Sequence, residues 1–152
     1  MRALFRTQLL LSLLPVISAA GQSQSPVAIL PDTVAWVAVS HTPGAHVRWL
    51  VGQGQPSGAY AFQTKFERGT RGAPHTHPDI RFTVVLSGTW YVGFGDTFDE
   101  SKLVAIPAGS LYVAPAGVPH FMWAKDGEVV IQEAGSHPTA TDFVKPRPGQ
   151  RP

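Results

Sequence analysis

Residues 69–88 read GTRGAPHTHPDIRFTVVLSG, and residues 109–120 read GSLYVAPAGVPH. In the first stretch His75 and His77 flank Thr76. Side chains two apart on an extended chain point the same way, so both imidazoles project into one space. Neutral imidazole is the common side-chain ligand for borderline metal cations. In the second stretch Pro115 and Gly117 bracket a tight turn that aims His120 back toward the same interior.

Working outward from these stretches, short apolar runs alternate with turn residues. Residues 60–66 alternate with period two, placing Tyr60, Phe62 and Phe66 on one face and Gln63 and Lys65 on the other. Further strands are expected over 34–39, 46–51, 81–86, 89–94, 103–106, 111–114, 120–124 and 128–133. Residues 69–74 read as a turn and 75–79 as a short extended piece. Ser87 and Gly88 are a hairpin signal joining 81–86 to 89–94. Asp126 and Gly127 are the expected chemistry for a last hairpin between 120–124 and 128–133. About ten strands at spacings of roughly 8–12 residues, with no convincing helix, are the habit of a β-sandwich or barrel. Beyond Thr139 the chain reads as an extended arm ending in a proline-rich tail.

The two histidine stretches resemble the two motifs of the cupin superfamily. The first carries Gly69, five residues, His75-x-His77, the acidic Asp79 and the closing Gly88. The second carries Gly109, five residues, Pro115-x-Gly117, two residues and His120. The likeness runs from about Tyr60 to Glu133. It implies an all-β fold, a cupin-type jelly roll or double-stranded β-helix. It also implies His75, His77 and His120 as ligands of a divalent transition metal (Fe, Mn, Ni, Zn or Cu). A homodimer built by strand exchange or sheet extension through residues 34–51 follows from the same resemblance.

Two positions depart from the family pattern. Cupins usually carry a Glu four residues after the second histidine, and here that residue is Arg81. A guanidinium neither ligates nor gives up its proton. Ala124 stands at the usual Asn of the second motif. Three readings stay open. The site is three-His and Arg81 anchors an anionic substrate, or Asp79 replaces the missing carboxylate, or Arg81 marks a degenerate site. Gln132, on the last strand, joins Arg81 as a candidate substrate-binding residue if it turns inward. The function implied is a metal-dependent, dioxygenase-like small-molecule enzyme. The alternative is a non-catalytic barrel binding a small ligand or a metal.

Composition bounds the rest. The chain has 152 residues, 43% apolar and only 14% charged, which suits one domain with a real core. The expected organisation is a signal peptide over 1–20, a flexible lead over 21–33, the barrel over 34–145 and a disordered tail over 146–152. The signal reading rests on the basic Arg2 and Arg6, the apolar run from Leu9 to Ile17 and the small residues Ser18, Ala19 and Ala20. It implies a periplasmic or secreted protein with no membrane attachment after cleavage. Without residues 1–20 the balance is ten bases against ten acids, with no basic patch for nucleic acid. With no Cys, disulfides and thiolate ligands are excluded. No G-x-S-x-G, phosphate-cradling loop or paired-carboxylate pattern supports a hydrolase or nucleotide reading.

Overall fold

The structure is a computed structural model that describes residues 27–30 and 33–145. The signal peptide, most of the flexible lead and the tail expected from the sequence lie outside the described residues.

Eleven strands follow one another: β1 (Val37–Ala38), β2 (Ala45–Val51), β3 (Ala59–Phe66), β4 (Arg71–Thr76), β5 (Arg81–Ser87), β6 (Thr89–Phe94), β7 (Val104–Pro107), β8 (Leu111–Ala114), β9 (His120–Trp123), β10 (Val129–Ser136) and β11 (Asp142–Phe143). They form a six-stranded sheet in the order β1-β2-β3-β10-β5-β8 and a five-stranded sheet in the order β11-β4-β9-β6-β7. Every strand pairing is antiparallel. One 3₁₀ turn, Glu100–Lys102, interrupts the loop after β6, capped by the Asp99 side chain accepting from the Ser101 amide. Among the described residues no helix is long and apolar enough to cross a membrane.

Period-two alternation decides which residues enter the interior. On β3, Tyr60, Phe62, Thr64 and Phe66 are buried and their neighbours are not. On β5, Arg81, Thr83 and Val85 are buried while Phe82, Val84 and Leu86 face solvent. Val85, Val129 and Phe121 are wholly buried, and Ile131, Val92 and Met122 nearly so. Burying such side chains removes apolar surface from water and drives the two sheets together.

The two expected hairpins do not form. β5 pairs with β10 and β8, whereas β6 pairs with β7 and β9 in the opposite sheet. Likewise β9 pairs with β4 and β6, and β10 with β3 and β5. The turn residues do reverse the chain, but each reversal crosses from one sheet to the other. Gly88 is needed at its crossing: its φ is +76°, and a Cβ there would collide with the Glu128 carbonyl oxygen.

Other boundaries also shift. The turn expected over 69–74 closes by Thr70, whose amide bonds the Glu67 carbonyl at 3.0 Å, and β4 already runs from Arg71. Pro74 lies inside β4, where the register against β9 slips between Gly72 and His75. A proline has no N–H to give the ladder, so an irregular position is where it is tolerated. The strand expected over 34–39 shrinks to Val37–Ala38.

Candidate metal centre

The five-stranded sheet presents the histidines. His75 on β4 and His120 on β9 are direct cross-strand partners. His77 lies just past the end of β4 and is held there by the second motif. The Gly117 amide donates to the His77 carbonyl at 2.8 Å, from a turn in which Gly117 has φ +69°. The three ring centroids are 4.4 to 4.9 Å apart. Their ligand atoms lie within 4.8 Å of one another, and this is the group of His, Asp and Glu residues among those described that could hold an ion.

Each imidazole has a backbone carbonyl behind it. His75 Nδ1 meets Ala73 O at 2.7 Å, His77 Nδ1 meets Ala140 O at 2.8 Å and His120 Nδ1 meets Val118 O at 3.0 Å. A carbonyl only accepts, so each Nδ1 carries the proton and donates. Each Nε2 therefore keeps its lone pair for a ligand. Burial lowers the pKa of His75 to about 4 and of His77 to about 3, the latter helped by the Arg81 charge. It lowers that of His120 in the same direction. All three rings are thus neutral at pH 7, the form a cation requires. The donor set fits a divalent transition ion bound by three imidazoles with further coordination positions open.

The six-stranded sheet faces this set with a charged cluster. Arg81 on β5 is only 5% exposed. Its Nη2 donates to Thr139 Oγ1 and to the Ala140 carbonyl, both at 2.8 Å. Its Nε is 3.8 Å from Asp79 and its Nη1 is 3.6 Å from Glu133 on β10. Its guanidinium also lies 5.6 Å from the Phe62 ring. The Tyr60 hydroxyl donates to Asp79. Burial, followed by that bond, pushes the Tyr60 phenol up to about 12. Burial also raises the pKa of Glu133, with Arg81 opposing the shift.

Asp79 is therefore engaged by Tyr60 and Arg81 and lies outside the three-histidine set. Gln132 does not turn inward. It accepts from Gln63 Nε2 at 2.9 Å, and Gln63 in turn accepts from Arg48 Nε at 2.8 Å, in a polar row across β2, β3 and β10. Its neighbours Ile131 and Glu133 line the cavity instead. Glu133 is the residue the sequence reading passed over. The signal was present, because Val129 and Ile131 set an inward phase that reaches residue 133.

A cavity of about 550 Å³ connects the two sheets, lined by the three histidines, Arg81 and Glu133. Trp49, Phe62, Phe66, Trp90, Met122 and Ile131 supply an apolar and largely aromatic wall.

Neither a family model nor a curated protein matches the sequence. Solved structures do match the fold. The polyketide cyclase RemF from Streptomyces resistomycificus superposes with a TM-score of 0.68 at 13% identity, over 82% of this chain and 89% of that one. KdgF from Halomonas sp. gives 0.60 at 22% identity, over 74% and 94%. An RmlC-like cupin from Shewanella frigidimarina gives 0.59 at 18% identity, over 74% and 92%. At these identities the likeness is one of architecture, and with two antiparallel sheets closing on an inward three-histidine cluster, this chain has the cupin fold.

Proposed function

We propose that this protein is an exported, divalent-metal-dependent cupin-fold enzyme, dioxygenase-like in its ligand set, acting on a small molecule held in the barrel. The observation that carries the reading is the triple Nδ1–H to carbonyl pairing, which leaves three Nε2 lone pairs for one ion. A divalent ion held there supplies a Lewis-acid centre with open positions. The chain's own residues supply the rest. Trp49, Phe62, Trp90 and Met122 pack the apolar body of the ligand and exclude water. Glu133, whose carboxyl is inclined by burial to keep a proton, is the group placed to give or take one in the cavity.

The substrate in this reading is largely apolar and ring-bearing, with a polar end toward the histidines. Arg81 is enclosed by Asp79, Glu133, Thr139 and Ala140, so its charge is already compensated. That argues against the anion-anchoring role expected from sequence. Export rests on the basic, apolar and small residues of 1–20. A homodimer is part of the same proposal, to be read by light scattering.

The rival is a non-catalytic barrel that binds a small ligand. It is favoured by the absence of a carboxylate from the candidate ligand set among the described residues. Elemental analysis of the mature, untagged protein separates the two, followed by oxygen-consumption assays with phenolic and enolic compounds. Near-stoichiometric metal, lost in His75→Ala and His120→Ala, with metal-dependent turnover supports the enzyme. A metal-free protein after reconstitution overturns it, and metal without turnover leaves the binding barrel.

A further inference from the structure

Two of the three imidazoles are oriented locally. His75 and His120 donate to carbonyls two residues back, at Ala73 and Val118. His77 differs, because its acceptor is the Ala140 carbonyl, 63 residues away in sequence. That carbonyl also accepts from Arg81 Nη2 at 2.8 Å. One backbone oxygen of the segment 137–144 therefore joins the buried arginine to an imidazole of the metal site.

The segment is fastened at both ends. His137 Nε2 bonds the Gly52 carbonyl at 2.7 Å, and the Val144 amide bonds the Pro74 carbonyl at 2.9 Å. Between them β11 pairs with β4, setting Phe143 opposite His75, and their rings lie 6.0 Å apart. Arg81 makes the central attachment through Thr139 and Ala140. Asp79 and Glu133 flank the arginine at 3.8 and 3.6 Å without sharing its bond to that carbonyl.

We infer that Arg81 is a positioning residue of the metal site: it holds the Ala140 carbonyl against His77, and the segment 137–144 is thereby a built part of that site. The inference rests on the metal reading of the three histidines. It gives the arginine at the usual ligand position a function that is neither coordination nor substrate capture. Groups that orient a metal-bound imidazole fix its tautomer and aim, and their loss lowers affinity without removing a ligand.

The test uses the mature full-length chain and two readouts. The first is Co²⁺ titration followed by visible absorption, which reports affinity and ligand geometry. The second is the ¹⁵N shift pattern of the His77 ring in metal-free protein, which reports its tautomer. Arg81→Met is expected to weaken Co²⁺ by about 10–100-fold. It should also alter the absorption bands and lift the Nδ1–H preference of His77 while leaving those of His75 and His120. Arg81→Lys keeps the charge and one donor, so it should recover part of the affinity. It also serves as the test if Arg81→Met fails to fold. Thr139→Ala frees one of two attachments and should cost only a few-fold.

Unchanged or tighter Co²⁺ binding in folded Arg81→Met or Arg81→Lys protein, with His77 still in the Nδ1–H form, overturns the inference. A wild type that takes no Co²⁺ sinks the metal reading. The His77 tautomer in the variants then decides the Arg81–Ala140–His77 link alone, and an unaltered tautomer overturns that as well.

Discussion

The two sheets face one cavity and bury polar groups in opposite ways. The five-stranded sheet, with the short continuation of β4, offers three neutral imidazoles, each donating to a backbone carbonyl. The six-stranded sheet offers a buried cation, Arg81, between the carboxyl groups of Asp79 and Glu133, the latter inclined by burial to keep its proton. Neutral donors cost little to bury and keep their lone pairs for an ion. Buried charges survive only by balancing one another. The first arrangement is open to an added cation, and the second already holds one. In the proposed reading metal binding belongs to the histidine side, while the opposite wall braces the cavity and supplies Glu133.

Substitutions can break this contrast. On the histidine side, His77→Ala or His120→Ala should reduce bound metal to background by elemental analysis while the metal-free fold persists. On the charged side, Arg81→Met removes the cation beside buried Asp79 and the donor to Thr139 and Ala140, and should cost about 3–5 kcal/mol in urea unfolding. If Arg81→Met proves neutral in stability, the cluster is more hydrated than its burial indicates and the contrast fails.

Gly135→Ala probes the same wall more gently. A Cβ there would meet the Tyr60 hydroxyl at 2.5 Å and Asp79 Oδ2 at 2.7 Å. Overpacking of this kind should cost about 1–3 kcal/mol in the same assay, without changing metal stoichiometry.

The two walls also differ in the sign of their pH response. The folded pKa values of His75 and His77, about 4 and about 3, lie below the unfolded value of 6.5. The unfolded chain therefore binds more protons as pH falls. Stability of the metal-free protein is full above about pH 7 and is lost progressively through 6.5 toward 4. His120 acts in the same sense. Glu133 acts oppositely, since its raised pKa lets the folded state take a proton first as pH falls. Three groups against one should leave a net loss toward acid in urea midpoints. Glu133→Gln should steepen that loss, and a flat profile in either protein would contradict the neutral-imidazole assignment.

The smallest effect is expected outside the cavity. Gln132→Ala removes one bond of the polar row on the outer face and should change stability by no more than about 0.5 kcal/mol. Metal affinity and ligand binding should be unchanged. A marked loss of either would place Gln132 back in the site.

Much of the site was legible because its residues sit on short periodic segments. The spacing of His75 and His77 put both on one side of the chain, and the Pro115-x-Gly117 turn returned His120 to them. The inward phase of β3 followed from alternation in the same way. Glu133 was equally legible from the phase of Val129 and Ile131, whereas Gln132, a candidate only if it turned inward, lies one residue away and so on the opposite face. Strand pairing was not legible at the turns. Ser87-Gly88 and Asp126-Gly127 announce reversals, but local turn chemistry does not say whether the next strand returns to its own sheet or crosses to the other.

Sequence alone determined the strand periodicity, the two histidine motifs and the oddity of Arg81, since each depends on neighbours within a few residues. Only the tertiary structure decided which sheet each strand joins and that Asp79 and Glu133 flank the arginine. It alone decided that a carbonyl 63 residues away orients His77. Those features depend on closing the barrel, where burial favours pairing a charge or a ring N–H with whatever part of the chain packs beside it.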